Sequence, residues 1–422
     1  MFKIFEKTSG ISDSKAALAL RLIILFGVIS LFGDIIYEGA RGINGPYLGL
    51  LGANAAIIGL IVGTGELLGY GIRLISGYIS DRTRAYWLFT ILGYGLICTV
   101  PMLGLTNMWS IAALFIVVER IGKALRTPSR DTLLSEVTQH VGTGFGFGLH
   151  EFIDQIGAII GPLIFTVFFF TVNSSEKTIS DYNTGYTLLW LPYILMMIII
   201  SVAYISFTKS RKMGLSTPVT KKEGEVERLS LLFYIYTFFA FVTTLGFVNF
   251  ALIGYHLKMH AMLSDAEIPL FYMIAMGVDA VIALIVGRVY DRLKTTMSDK
   301  RAGMLTLIII PVLSALIPYL AFSSSYILIL GSMMLWGIVM GSHETIMRSA
   351  IADITPLKKR GIGYGLFTTS YGLALFMGGI ITGVLYEYSL VMLNIFVITT
   401  ELIAVLLFIV MWKNIKGRRE RL

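Results

Sequence analysis

Asp34, Glu38 and Arg41 lie inside one uninterrupted apolar stretch, Leu18 to Gly45. The spacing i, i+4, i+7 stacks all three on one face of a helix, within about 60° of each other. Each ionised group costs roughly 2.5–3.5 kcal/mol at the centre of a lipid-spanning helix. A bare lipid anchor would not carry them, so this face must look onto protein or trapped water. Glu66, Tyr70 and Arg73 repeat the same spacing in a second apolar stretch, and Glu119 and Arg120 sit in a fourth. A fifth stretch carries His150, Glu151 and Asp154, with His150 and Asp154 on one face. Two chemistries are open to such acids. Paired with Arg41, Arg73, Arg120, Lys123, Arg126 or Arg130, they form ion bridges that rearrange as helices move. Left without a cation, an acid in a dehydrated site can exchange a proton. Asp34 is the first candidate for that exchange and Glu66 the second, whereas Glu38 is easily satisfied by Arg41 three residues on. His150, Glu151 and Asp154 would also suit a divalent cation, but five histidines in the chain make no dense cluster, and a helix-end network is the expected role. No metal or other cofactor is expected.

The second half of the chain offers fewer such groups. Asp279 lies mid-stretch in the eighth apolar segment. His343, Glu344 and Arg348 lie in the tenth, where Glu344 and Arg348 are spaced to pair. Asn249 and Trp336 could add a hydrogen bond and an aromatic wall.

These residues must be positioned by an all-α membrane protein. Of 422 residues, 56% are hydrophobic and 14% charged, and the mean hydropathy is +0.78; soluble proteins are nearer a quarter charged. Apolar segments fall at 18–45, 55–79, 86–106, 108–130, 143–172 and 186–208, then at 229–257, 267–290, 301–321, 324–352, 361–385 and 388–412. Each is long enough to cross a bilayer at about 20 residues per span. The expectation is twelve transmembrane helices as two six-helix bundles. The domains are 1–208 and 229–422, joined by a polar linker at 209–228. The start of the chain, lysines followed by an apolar run without a small-residue cleavage site, reads as an uncleaved first helix.

The net charge of +8 does not point to nucleic acid, because the basic residues fall in alternate loops. Arg82 and Arg84, the 209–228 segment, Arg292 and Lys294, Lys358 to Arg360 and the C-terminal tail share one side; Lys177 and Lys258 stand nearly alone on the other. The positive-inside pattern places both termini and the linker in the cytoplasm of a multi-pass cell-membrane protein. The single cysteine, Cys98, excludes an intrachain disulfide. There is no phosphate-binding loop for ATP and no dinucleotide fingerprint in a strand–helix context, so neither a primary pump nor an enzyme is expected.

Internal repeats accompany the two halves. Gly77-Tyr-Ile-Ser-Asp81-Arg82 closes the second span and Gly287-Arg-Val-Tyr-Asp291-Arg292 the eighth, 210 residues later. With Arg84, the first completes a G-x-x-x-D-R-x-R pattern. Twelve spans arranged six plus six with this loop motif resemble the major facilitator superfamily over nearly the whole chain. The resemblance implies a secondary active transporter that works by alternating access, with a small solute bound between rocking halves. It also implies a cytoplasmic gate at Gly77, Asp81 and Arg82, echoed by Asp291 and Arg292, with Arg126 and Arg130 as partners for Asp81. Gly157-Ala-Ile-Ile-Gly161-Pro162 resembles part of the superfamily's antiporter motif, without its trailing glycine pair. Arg120 is nearest to the superfamily's fourth-span arginine, though its spacing to the next glycine differs. The expected function is proton-coupled efflux of a small organic compound, in a monomer whose partners are protons, the solute and lipid. The alternatives are uptake of an anionic metabolite with Arg41, Arg73 or Arg120 as counter-charges, divalent-metal export, and a non-transporting receptor or scramblase.

Overall fold

The computed structural model describes residues 13–172, 176–212, 229–297, 302–355 and 360–419. All of its regular structure is helical, in twelve crossings. These are α1 (Asp13–Leu50), α2 (Ala55–Thr83), α3 (Tyr86–Leu105), α4 (Trp109–Thr138), α5 (Thr143–Thr171), α6 (Ile179–Ser210), α7 (Leu231–Met259), α8 (Glu267–Thr296), α9 (Gly303–Ala321), α10 (Tyr326–Ile351), α11 (Arg360–Tyr388) and α12 (Leu390–Arg419). Most of the proposed linker falls outside the described residues. We call the side holding the α2–α3 turn, with Arg82 and Arg84, the basic face, and the side holding the α1–α2 turn the opposite face.

Eleven of the twelve are apolar enough to cross a bilayer on composition alone; α4 is the exception. Its charges explain why. Glu119, Arg120 and Arg126 are all buried, so α4 spends its polarity inward and keeps residues such as Leu114 for the outside. The reverse pattern marks α12, where Val391, Ile395, Ile398, Leu402, Leu406 and Ile409 are exposed at three- and four-residue spacing. That stripe suits lipid contact, since a hydrocarbon surround accepts apolar side chains and no unpaired backbone.

Besides a smaller apolar cluster of α1, α4 and α6 around Phe26 and Leu134, two large apolar cores divide the helices. One is built almost wholly from α1–α6 and the other from α7–α12. The residues that cross between them, Ala55, Ala251 and Ala266, all lie towards the opposite face. Glycines set the closest approaches. On α5, a side chain at Gly161 would meet the Gly39 backbone nitrogen at 2.7 Å, and one at Gly157 would meet Asp34 Cβ at 2.9 Å. The partial antiporter-like motif therefore packs α5 directly onto the α1 face that bears the acids. Between bundles, α2 runs along α11, with Gly59 against the Gly379 carbonyl and Gly63 against Phe376, while Gly45 of α1 abuts Ala251 of α7. Small residues at such seams let backbones touch.

Two interruptions shape the second bundle. Helix α7 breaks at Phe247–Asn249 and restarts with Asn249 as its cap, whose Oδ1 accepts the Leu252 amide at 2.9 Å. Helix α10 widens into a π-turn over His343–Met347, the kind of local unwinding common at functional sites.

Candidate functional site

Buried charge converges where α1, α2 and α4 meet. Arg41 donates to Glu38 at 3.0 Å and to Glu66 at 2.7 Å. Arg120 lies 3.6 Å from the same Glu66 oxygen and 3.5 Å from Glu119. The local Glu38–Arg41 pair expected from the spacing is thus present, and Arg41 continues to Glu66 as a bridge between helices. Glu38 also accepts the Tyr272 hydroxyl from α8 at 2.5 Å, so this network joins the two bundles.

Further along α4 towards the basic face, the cations lean on tyrosines. Lys123 donates to the Tyr37 hydroxyl at 3.1 Å and lies 4.2 Å from that ring's centroid. Arg126 sits 4.9 Å from the Tyr94 ring and 5.4 Å from the Tyr37 ring. Arg130 donates to Ser30 at 3.1 Å and pairs with Asp131 at 2.8 Å. Ser30 in turn bonds Tyr94 at 2.9 Å and His150 at 3.0 Å. His150 is held by a serine, and among the described residues no group of three potential metal ligands occurs.

Asp34 and Asp154 face each other across the glycine-mediated α1–α5 contact, each the other's close electrostatic neighbour, with Lys123 also beside both. Asp34 is 8% exposed, and Asp154 Oδ1 is buried without a hydrogen-bond partner. Two carboxyls this near one another can hold one proton between them.

These groups line a chamber of two connected compartments. The larger, about 140 Å³, runs from mid-depth to the basic face and is bounded by Asp34, Glu38, Arg126, Asp154 and Asp279, with exposed Glu151 at its rim. The smaller, about 120 Å³, lies nearer the opposite face among Phe247, Phe250, Tyr272, Trp336 and Tyr371. Arg41, Arg73, Lys123, Met340 and Glu344 border both. From the second bundle, Asp279 is 3% exposed and its Oδ1 has no hydrogen-bond partner. Trp336 donates to the Val248 carbonyl at 3.1 Å, at the break in α7, and His343 meets the Tyr371 hydroxyl at 3.1 Å. Asn249 borders the smaller compartment, but its side-chain oxygen is engaged as the α7 cap, a structural duty its sequence context did not reveal. The Arg348 side chain, expected to pair with Glu344, lies outside the described residues.

The expected gate residues are placed as follows by the fold. Arg126 and Arg130 line the chamber, because α4 presents them on its inner face, and Asp81 accepts from the Tyr86 hydroxyl at 3.2 Å. Arg82 is exposed, and Gly77 packs against Pro128. In the repeat, Asp291 and Arg292 are exposed, while their neighbours Tyr290 and Lys294 bind Asp353 of the α10 end at 2.8 and 2.7 Å. Sequence reasoning also missed a tie at the opposite face. Asp265, in the α7–α8 turn, accepts the Tyr182 hydroxyl at 2.5 Å, the Lys177 amide at 3.1 Å and the Lys258 ammonium at 2.7 Å. Ala55 N donates to Glu387 at 2.7 Å nearby. The two isolated lysines of the opposite loops were the available signal. These ties lie across the opposite face, whereas Arg130, Asp131 and exposed Glu151 set the larger compartment's rim towards the basic face.

Three comparisons bear on this arrangement. The sequence model described as Major Facilitator Superfamily matches residues 26–379. The chain belongs to the major facilitator superfamily. An uncharacterized protein of Mycobacterium tuberculosis is 35% identical, covering 94% of this chain and 95% of its own length. An uncharacterized MFS-type transporter of Methanocaldococcus jannaschii is 25% identical over 86% of this chain and 88% of its own. Among solved structures, a mutant of the nucleoside transporter NupG superposes with a TM-score of 0.71 at 12% identity, covering 92% of this chain and 99% of that one. A bacterial homolog of the human lysosomal transporter Spinster, inward-facing and occupied, gives 0.67 at 13% identity, covering 93% and 96%. At these identities the structures share the fold alone. The facilitator described here is a multi-pass membrane transporter, and the position of its chamber between two bundles is that of a solute path.

Proposed function

We propose that this facilitator is a proton-coupled antiporter that exports a small organic compound across the cell membrane, with the basic face and both termini in the cytoplasm. The observation that carries the reading is the Asp34–Asp154 carboxyl pair, set into the wall of the larger compartment. A shared proton there leaves the pair with a single negative charge; its departure to the cytoplasm adds a second, which an incoming solute or Lys123 must balance. Coupling follows when the bundles rock only in the protonated or the loaded form. The Glu38–Arg41–Glu66–Arg120 network and the Glu38–Tyr272 bond would be remade at each stroke. The Asp265 and Glu387 ties would close the outer side while the solute enters from within. The positive-inside distribution supports the orientation, and the partial antiporter-like motif supports exchange rather than symport.

The test is accumulation in sealed proteoliposomes carrying an imposed acid-inside gradient. A mixture of small organic solutes is offered outside, and those taken up are quantified by mass spectrometry. The expected result is gradient-dependent accumulation by the parent. Asp34→Asn should keep solute binding, read as a thermal shift, but lose gradient dependence. Accumulation in the parent that is indifferent to the gradient would remove the proton from the mechanism.

A further inference from the structure

Among the described residues lining the two compartments, acids outnumber bases by eight to six. One negative charge of that excess is met if Asp34 and Asp154 hold a proton between them. Asp279, of the second bundle, is set differently from the cation-held acids of the first. Glu38 and Glu66 are bonded by Arg41, Glu119 is beside Arg120, and Asp131 is held by Arg130. Among the described residues, the strongest electrostatic neighbours of Asp279 are acids, Glu344, Glu38 and Glu151. Its Oδ1 is pressed against α10 where Gly341 leaves room, 2.8 Å from where a Cβ would stand, and finds no donor. A buried carboxylate without a counter-charge costs several kcal/mol, so the site is built to receive a positive group. The wall beside it suits an organic one. Met276 and Tyr272 follow Asp279 up one face of α8 at three- and seven-residue spacing. Met340, Trp336 and Phe250 continue that wall into the smaller compartment, with the Phe250 and Tyr272 rings 4.5 Å apart. Aromatic faces attract ammonium groups, more so when water is excluded.

The geometry points to a transported solute that is an organic cation, its ammonium group docked at Asp279 and its apolar body against Tyr272, Trp336 and Phe250. This rests on the transporter reading above and adds the substrate class and the residue that selects it. The division of labour is spatial: the proton belongs to the α1–α5 pair of the first bundle, and the cargo's charge to α8 of the second. The solute is therefore held by the second bundle, facing the first across the chamber.

Binding without a gradient separates this inference from coupling. The purified protein in lipid nanodiscs is titrated at pH 7.5 with benzyltrimethylammonium and with phenethylammonium, using benzyl alcohol and phenylacetate as neutral and anionic counterparts. Trp336 fluorescence and thermal shift report binding. The expected result is saturable binding of at least one ammonium probe, with neither counterpart competing. Asp279→Asn should weaken it about thirtyfold or more, and Asp279→Glu should restore part of it. Asp279→Asn that holds its elution profile and midpoint but binds unchanged would overturn the inference. So would preference for phenylacetate, or no binding of either ammonium up to 10 mM, on the order of the weakest useful affinity. In each of those cases the gradient test on Asp34 still stands by itself.

Discussion

At the scale of single residues, Arg41 is the most heavily committed cation of the site, joined to Glu38 and Glu66 at hydrogen-bond distance. Arg41→Ala would leave two acids facing a chamber without their counter-charge. Removing one partner of a buried pair costs about 3–5 kcal/mol; with Arg41 23% exposed, about 1–3 kcal/mol is expected after allowing for solvent screening. That loss is measured as a lower unfolding midpoint in detergent. Adding Glu66→Gln should recover part of it, because the second change removes one stranded charge. A double variant whose losses simply add would contradict the bridge. Much at this scale was legible in the sequence. The acids and bases of the first, second, fourth and fifth spans were all visible as ionisable groups in apolar runs, and the i, i+3 spacing of Glu38 and Arg41 gave their pairing. Pairings between distant helices were not legible. Nothing local marks Tyr272 as the partner of Glu38, or sets Arg126 beside Tyr37 and Tyr94, since both depend on which faces of the helices meet.

At the scale of elements, the α1–α5 crossing decides whether Asp34 and Asp154 meet at all. Gly161→Leu would drive a side chain into the Gly39 backbone. Overpacking of this kind costs typically about 1–3 kcal/mol, so the unfolding midpoint should fall by several degrees and gradient-driven transport should fall with it. Gly148→Ala, on the same helix with open space around it, should leave both unchanged; equal damage from the two would mean the crossing is not the cause. Asn249→Ala should cost about 1 kcal/mol by uncapping the second part of α7, visible as a smaller midpoint shift. The twelve crossings were readable from apolar run lengths, because lipid leaves few alternatives to a helix of about twenty residues. The break at Phe247–Asn249 and the π-turn at His343–Met347 were not, because both keep apolar composition while changing only backbone hydrogen bonding. Helix α4 shows the converse. Its composition alone fails as a membrane span, and only its neighbours make sense of the charges it hides.

For the molecule as a whole, the question is how the chamber opens to the other side. Asp265 holds Tyr182, the Lys177 amide and Lys258 together across the opposite face. Asp265→Ala should weaken that closure by about 3 kcal/mol. A cysteine at Ile116, on the smaller compartment's wall, should then react faster with a membrane-impermeant maleimide added from the opposite side. An unchanged rate would mean the tie does not govern closure. The two-bundle plan itself was foreshadowed by the repeated Gly-x-x-x-Asp-Arg motif, whereas the Asp265 tie joins residues more than eighty positions apart and left no repeat to find.

The central claim is that the two bundles rock about this chamber under control of the Asp34–Asp154 proton. Distances between paired spin labels test it most directly, with Cys98 replaced by serine. One pair at exposed Ser180 and Ser324 reports the opposite face, and one at exposed Gln139 and Thr296 reports the basic face. Between pH 8 and pH 5.5 the two separations should shift in opposite directions in the parent, and neither should respond in Asp34→Asn. Separations that ignore pH in the parent, or that respond equally in the variant, would contradict the account.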